Sequence, residues 1–193
     1  MKYLDILKYP DPALRVKAKA VQPLDAADII QTAKDLAYTM YKVEGVGLAA
    51  TQVGIGKRII VIDVSKKLDE NRRIFLDDNN ILLMNKDLIV ALNPEIIYEE
   101  GKITHEEGCL SIPEFNADID RSKFIKVKAV GLNGKEFIIE ADDILSIAFQ
   151  HEIDHLNGIL FIDKASPLKR SLYNAKLKRM RSENRQKDLT YTR

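Results

Sequence analysis

The sequence predicts an α+β domain, with strands gathered in the middle of the chain and helices at both ends. Three observations carry that prediction. Apolar residues recur at helical spacing after Asp25 and again after Ser166, β-branched runs punctuated by turn residues occupy much of residues 58–141, and another helical stretch lies after Asp142 and Asp143. No internal repeat breaks the chain, and 193 residues are enough to bury one core.

Each element has a local signal. Asp11-Pro12 reads as an N-cap and first residue of one short helical turn. Asp25 opens a clearer helix, with Ile29, Ala33, Leu36, Met40 and Val43 on one stripe and Gly45 as its stop. A glycine-rich stretch, Gly45 to Gly56, precedes a buried strand from Arg58 to Val64, whose Ile-Ile-Val-Ile core is β-branched throughout. Residues 65–80 are polar and read as a loop. Short strands are expected at 81–85, 88–93, 95–98 and 102–104. Lys123 to Leu132 and Lys135 to Ala141 flank Asn133-Gly134, a signal for a two-residue type I′ hairpin. Asp142 or Asp143 then caps a helix closed by Gly158, and Ser166-Pro167 starts a last helix whose apolar side is Leu168, Leu172 and Ala175.

Composition excludes several classes. Cys109 is the only cysteine, so no internal disulfide framework exists, in keeping with a reducing compartment. Residues 1–12 carry prolines and aspartates where a signal peptide needs an apolar run, and no 18 apolar residues stand together. The expectation is a cytoplasmic protein without a membrane partner. The net charge of +1 hides an asymmetry: from Lys164 to Arg193, ten Lys or Arg face only Glu183 and Asp188. An acidic body therefore carries a basic tail, read either as a solvated helix or as a surface for a polyanion such as RNA.

The most specific chemistry lies in Gln150-His-Glu-Ile-Asp-His155. On a helix, His151 and His155 stand one turn apart on one face, close enough for both imidazoles to reach one ion, with Glu152 beside them as a general base. The expected architecture is therefore a mixed or antiparallel sheet packed around a central metal-bearing helix, with the last helix at the C-terminus. H-E-x-x-H peptidases take their third ligand downstream, but here only Asp163, Glu183 and Asp188 lie downstream and no H-x-x-G-x-x-H extension exists. Upstream, Glu107-Gly-Cys109-Leu110-Ser111 offers a thiolate. A lone cysteine is more often a core residue than a ligand, yet a thiolate with two imidazoles and an open fourth position is a catalytic arrangement.

Gly45-Val-Gly47-Leu-Ala-Ala50 with Asp63 further on matches the dinucleotide pattern G-x-G-x-x-A. That fingerprint needs a strand before it and a full helix after it. A helix precedes it here, and Gly54 and Gly56 cut short any helix after it, so nucleotide binding is set aside.

Three segments, Gly45-Val-Gly-Leu-Ala-Ala-Thr-Gln52, Glu107-Gly-Cys-Leu-Ser111 and Gln150-His-Glu-Ile-Asp-His155, resemble the signature motifs of the peptide deformylase family in the family's order. The likeness extends from Leu7 to about Lys169. It implies a metal-dependent hydrolase that removes the formyl group from the initiator methionine of nascent polypeptides. By the same matching, Cys109, His151 and His155 are the ligands, Glu152 is the general acid/base, and Gln52 with the backbone N–H of Leu110 stabilises the oxyanion. Val46, Ile144, Ile147 and Ala148 line the methionine pocket, and backbone near Gly47 pairs with the extended peptide. The resemblance further implies Fe²⁺, with Zn²⁺, Ni²⁺ or Co²⁺ as substitutes; by ligand type alone, zinc and ferrous iron suit this set equally.

Several features depart from the pattern or leave alternatives. His105 stands where the family carries an apolar pocket residue, and is read as a rim residue rather than a fourth ligand. Residues 69–86 look longer than usual and have no assigned function. Arg121 and Asp154 resemble a pair steadying the ligand helix, or form an ordinary ion pair. The expectation is a monomer in which residues 1–166 form the catalytic domain and residues 167–193 a basic helix and tail of the same domain, with the ribosome as the tail's partner. Two rivals stand beside this reading: a peptidase for internal bonds, and a ribosome-binding module with a structural metal.

Overall fold

The computed structural model describes residues 1–21, 26–65 and 87–190. The chain is α+β, as the sequence predicts. A 3-10 turn at Pro12–Arg15 leads to α1 (Ala26–Lys42), β1 (Gly47–Ala49), a 3-10 turn at Ala50–Val53, and β2 (Ile59–Ile62). Next come strands β3 (Ile89–Glu100), β4 (Ile103–Cys109), β5 (Ile112–Arg121), β6 (Phe124–Val130) and β7 (Glu136–Asp142). The helices α2 (Asp143–Leu156), α3 (Phe161–Lys164) and α4 (Pro167–Thr190) complete it. One sheet has the order β1-β2-β3-β6-β7 and a second pairs β4 with β5, every named pairing being antiparallel.

The run Ile59-Ile60-Val61-Ile62 is buried at all four positions because both faces of its sheet are covered. Ile60 and Ile62 pack with Phe149, Ile153 and Leu156 of α2. Ile59 and Val61 pack with Leu36 and Met40 of α1. A continuous apolar strand is what such a two-sided position requires. Smaller and separate, the third cluster joins Ile112, Phe115 and Ile119 of β5 to Leu160, Phe161 and Tyr173. The central helix therefore has a fixed back wall of sheet, and its other side meets the β4–β5 pair.

Some predicted elements hold and others are corrected. Asp11 caps its turn by accepting from the Ala13 N–H at 2.8 Å. The α1 stripe is buried from Ile29 to Met40, whereas Asp25, the proposed start, lies outside the described residues, as do the 81–85 strand and the 69–86 segment. The separate strands 88–93 and 95–98 are one strand, β3, with register shifts at Leu92/Glu95 and Ile96/Tyr98. Asn93 takes φ 52° before Pro94, so the break is a bulge and not a strand end. Strand β4 runs on from residue 104 to Cys109, and β5 was not foreseen.

The hairpin at Asn133-Gly134 is real but not type I′. The Gly134 N–H donates to Gly131 O and the Gly131 N–H to Lys135 O, both at 2.9 Å, and Gly134 alone in the loop has a positive φ, 75°. A type I′ turn needs positive φ at both central residues; this is the three-residue loop with glycine at the left-handed position. The C-terminal helix docks by a different face from the one expected. Leu168 and Leu172 are 70% and 63% exposed, while Tyr173 is buried and Leu177 packs beside it. The face that meets the body is the one bearing Tyr173, whose hydroxyl donates to Pro113 O at 2.8 Å, with Lys176 reaching Glu114 Oε2 at 2.7 Å.

Candidate active site and metal centre

Helix α2 presents His151 and His155 toward the end of β4, where Cys109 stands. Cys109 Sγ lies 3.2 Å from His155 Nε2, His155 Nε2 lies 3.2 Å from His151 Nε2, and the three donor atoms fall within 4.8 Å of one another. A strand with a bulge between Glu107 and Cys109 turns the sulfur toward the helix. Two of the donors are braced from outside. Thr51 Oγ1 donates to His155 O at 3.1 Å, and the Ser111 N–H points at Cys109 Sγ at 3.4 Å.

Glu107 is the residue the sequence reading passed over. Its Oε2 lies 2.8 Å from His151 Nδ1, and the Arg121 guanidinium grips it through Nε at 2.7 Å and Nη2 at 3.0 Å. Burial works to raise the Glu107 pKa, but the bonds to His151 and Arg121 outweigh it and bring it to about 2. A carboxylate fixed on the far nitrogen leaves His151 Nε2 aimed at the other donors. The signal was present: a histidine ligand needs an acceptor for its second nitrogen, and Glu107 lies two residues before Cys109. Arg121 also reaches Asp154 Oδ2 at 2.5 Å, so the pair noted in the sequence braces α2 and the histidine's carboxylate together.

Glu152 is 5% exposed, and its Oε2 has no hydrogen-bond partner. Burial first of all raises its pKa to about 7, with Glu107 adding to the rise and His151 opposing it. A buried carboxylate poised there exchanges a proton near neutrality. Gly47 explains how it fits: a Cβ at that position would come 2.5 Å from Glu152 Oε1. Burial opposes a charge on His151, yet hydrogen bonds to Cys109 and Glu107 raise its pKa well above the usual imidazole range. Burial and the charge of His151 lower that of His155.

Gln52, 1% exposed, is locked by its own backbone turn. Its Oε1 accepts from the Ala49 N–H at 2.8 Å, which leaves Nε2 directed at Ser111 Oγ (3.3 Å) and Cys109 Sγ (3.6 Å). A cleft of about 510 Å³ opens over these groups. Val46, Gly47, Gln52, His105, Cys109, Leu110, Ile144, Ile147, Ala148, His151 and Glu152 all line it, and His155 sits behind His151. Val46, Ile144 and His105 are exposed at its rim; Ile147 and Ala148 are buried deeper. A sulfur, two imidazoles and, in the same cleft, a buried carboxylate with one unpaired oxygen fit a divalent ion with an open position.

The fold and this donor set fit the class of metal-dependent hydrolases, with Cys109, His151 and His155 as the candidate metal site. Residues 3–171 match the family described as Polypeptide deformylase. A peptide deformylase of Thermodesulfovibrio yellowstonii is 45% identical over 178 residues, covering 92% of this chain and 98% of the relative. A peptide deformylase of Buchnera aphidicola is 45% identical over 185 residues and 96% of each chain. The crystal structure of a peptide deformylase from Legionella pneumophila superposes with a TM-score of 0.79 at 38% identity, covering 95% of this chain and 98% of that one. The chain belongs to the peptide deformylase family and hydrolyses the formyl group from nascent polypeptides.

Proposed function

We propose that the reaction is run by the residues gathered in this cleft, and that its substrate is the formyl-methionyl end of a new chain. The observation that carries this reading is Glu152 Oε2, buried and without a partner, on a residue that lines the same cleft as Cys109 and His151. Cys109, His151 and His155 hold the ion. A divalent ion held there would supply Lewis acidity to this chemistry. Glu152 takes the proton from the attacking water and delivers it to the leaving amine. Gln52 Nε2 and the Leu110 N–H steady the negative charge on the formyl oxygen. Ile144, Ile147, Ala148 and Val46 seat the methionine side chain with His105 at the rim, and Gly47 backbone pairs with the peptide.

The donor set supports Fe²⁺ or Zn²⁺; family membership favours Fe²⁺, with Ni²⁺ and Co²⁺ as workable replacements. Residues 1–166 act as the catalytic domain of a monomer. The basic helix and tail from residue 167 onward carry it to ribosomes, supported by the charge excess and by Leu168 and Leu172 standing exposed among lysines and arginines. Among the described residues no helix is long and apolar enough to cross a membrane, and with a single cysteine this supports a cytoplasmic site of action. The test is an assay of formate release from a formyl-Met peptide against cleavage of an N-acetyl-Met peptide and an internal bond. The formyl peptide is expected to react at least about 10²-fold faster; equal rates, or faster internal cleavage, would favour a general peptidase.

A further inference from the structure

Three consecutive residues near the N-terminus reach both halves of the oxyanion site. The Leu7 N–H donates to Gln52 O and the Tyr9 N–H to Ser111 O, each at 2.8 Å. Between them, the Lys8 ammonium donates to Leu110 O at 2.6 Å. Leu7 and Tyr9 also pack against the cluster around Ile112 and Phe161. Lys8 does not; it is exposed on the wall of the cleft, and Leu110 O is its one hydrogen-bond acceptor among the described residues.

The place of that acceptor matters. Cys109 pairs with Ile112, so Leu110 and Ser111 form the two-residue turn between β4 and β5. The peptide joining them carries Leu110 O on one side and the Ser111 N–H on the other. Lys8 holds the oxygen, and the N–H faces Cys109 Sγ at 3.4 Å. The central peptide of a tight turn is the unit whose orientation distinguishes one turn type from another, and it rotates with little movement of the flanking strands. A charge-assisted bond is about twice as strong as a neutral one, so it resists that rotation.

We propose that Lys8 is a positioning residue: its ammonium pins the Leu110–Ser111 peptide, and so keeps the Ser111 N–H on the Cys109 sulfur. This rests on the role given to Cys109 above. The test compares Lys8→Met and Lys8→Arg with the unaltered full-length chain, all zinc-loaded. Lys8→Met keeps its metal content and melting temperature, and its kcat falls about five- to tenfold with KM within about twofold, near the low end of the roughly 10- to 100-fold that losing a hydrogen bond to a metal ligand costs. Lys8→Arg recovers most of the rate. Backbone ¹⁵N relaxation, which needs no turnover, finds the Ser111 amide more mobile in Lys8→Met. A Ser111 amide as rigid as in the unaltered chain, or an unchanged kcat, overturns the inference; so does a change in KM alone, which makes Lys8 a substrate contact. If the unaltered chain releases no formate, the proposed function falls instead, and the amide mobility still decides whether Lys8 pins the turn.

Discussion

At the scale of single residues, the site depends on two carboxylates that differ by their neighbours. Glu107 is held ionised by Arg121 and His151, whereas Glu152 is pushed toward neutrality by burial with one oxygen unpaired. Their substitutions should therefore fail differently. Glu152→Gln is expected to keep its metal and lose at least about 10²-fold in kcat, the usual scale for general acid/base catalysis; metal analysis beside formate release checks it, and a near-normal rate would refute the role. Glu107 has a pKa of about 2 against an ordinary 4.5, so its stabilising contribution is complete above about 4.5 and is lost as pH falls toward 2. Denaturant unfolding of metal-free protein should show stability declining across that window, and Glu107→Gln should flatten the decline. A variant with the same pH slope would mean that Glu107 is not the group responsible.

Among the elements, α2 is the part on which the others converge. Phe149 is fully buried between it and the sheet, on the side of the helix opposite the histidines. Phe149→Ala should cost about 3–5 kcal/mol of unfolding free energy, read by urea denaturation, and lower metal retention because the ligand helix loses its back wall. A loss below about 1 kcal/mol would show that the helix is held chiefly by its polar contacts. The same elements explain what was legible beforehand. The stripe from Ile29 to Met40 and the spacing of His151 and His155 are strong periodic signals, and both are realised. Strand β5 escaped notice because Pro113 and Glu114 interrupt its start and its inward positions include Ala117 and Arg121 in place of large apolar residues. Gly47–Ala49 is too short to show a period of two, and only the pairing with Ile60–Ile62 makes it a strand. Glu107 was visible as part of a motif, but its role depends on Arg121, a contact between strands 14 residues apart that no local pattern reveals.

For the whole molecule, the basic C-terminal helix sits apart from the cleft. Tyr173 and Leu177 fasten it to β5 and α3, and the described side chains beyond Leu177, at residues 178–180 and 182, are exposed. Ending the chain after Leu177 should leave formate release from a short formyl-Met peptide within about threefold of full length, since the catalytic groups precede the helix. Ribosome co-sedimentation should weaken for the truncated form and, for the full-length form, fall steeply with salt as phosphate contacts are lost. Equal, salt-insensitive binding by both would leave the tail a solvated helix.

The central claim is that a thiolate and two imidazoles hold the ion on which hydrolysis depends. Cys109→Ser tests it most directly, because a neutral hydroxyl is a poor replacement for a thiolate ligand while changing little else in the turn. Metal per chain and formate release are measured on the same anaerobically purified, iron-loaded samples. The account predicts that occupancy and rate fall together, with the fold retained by circular dichroism. Full metal content and full rate in the Ser variant would contradict it.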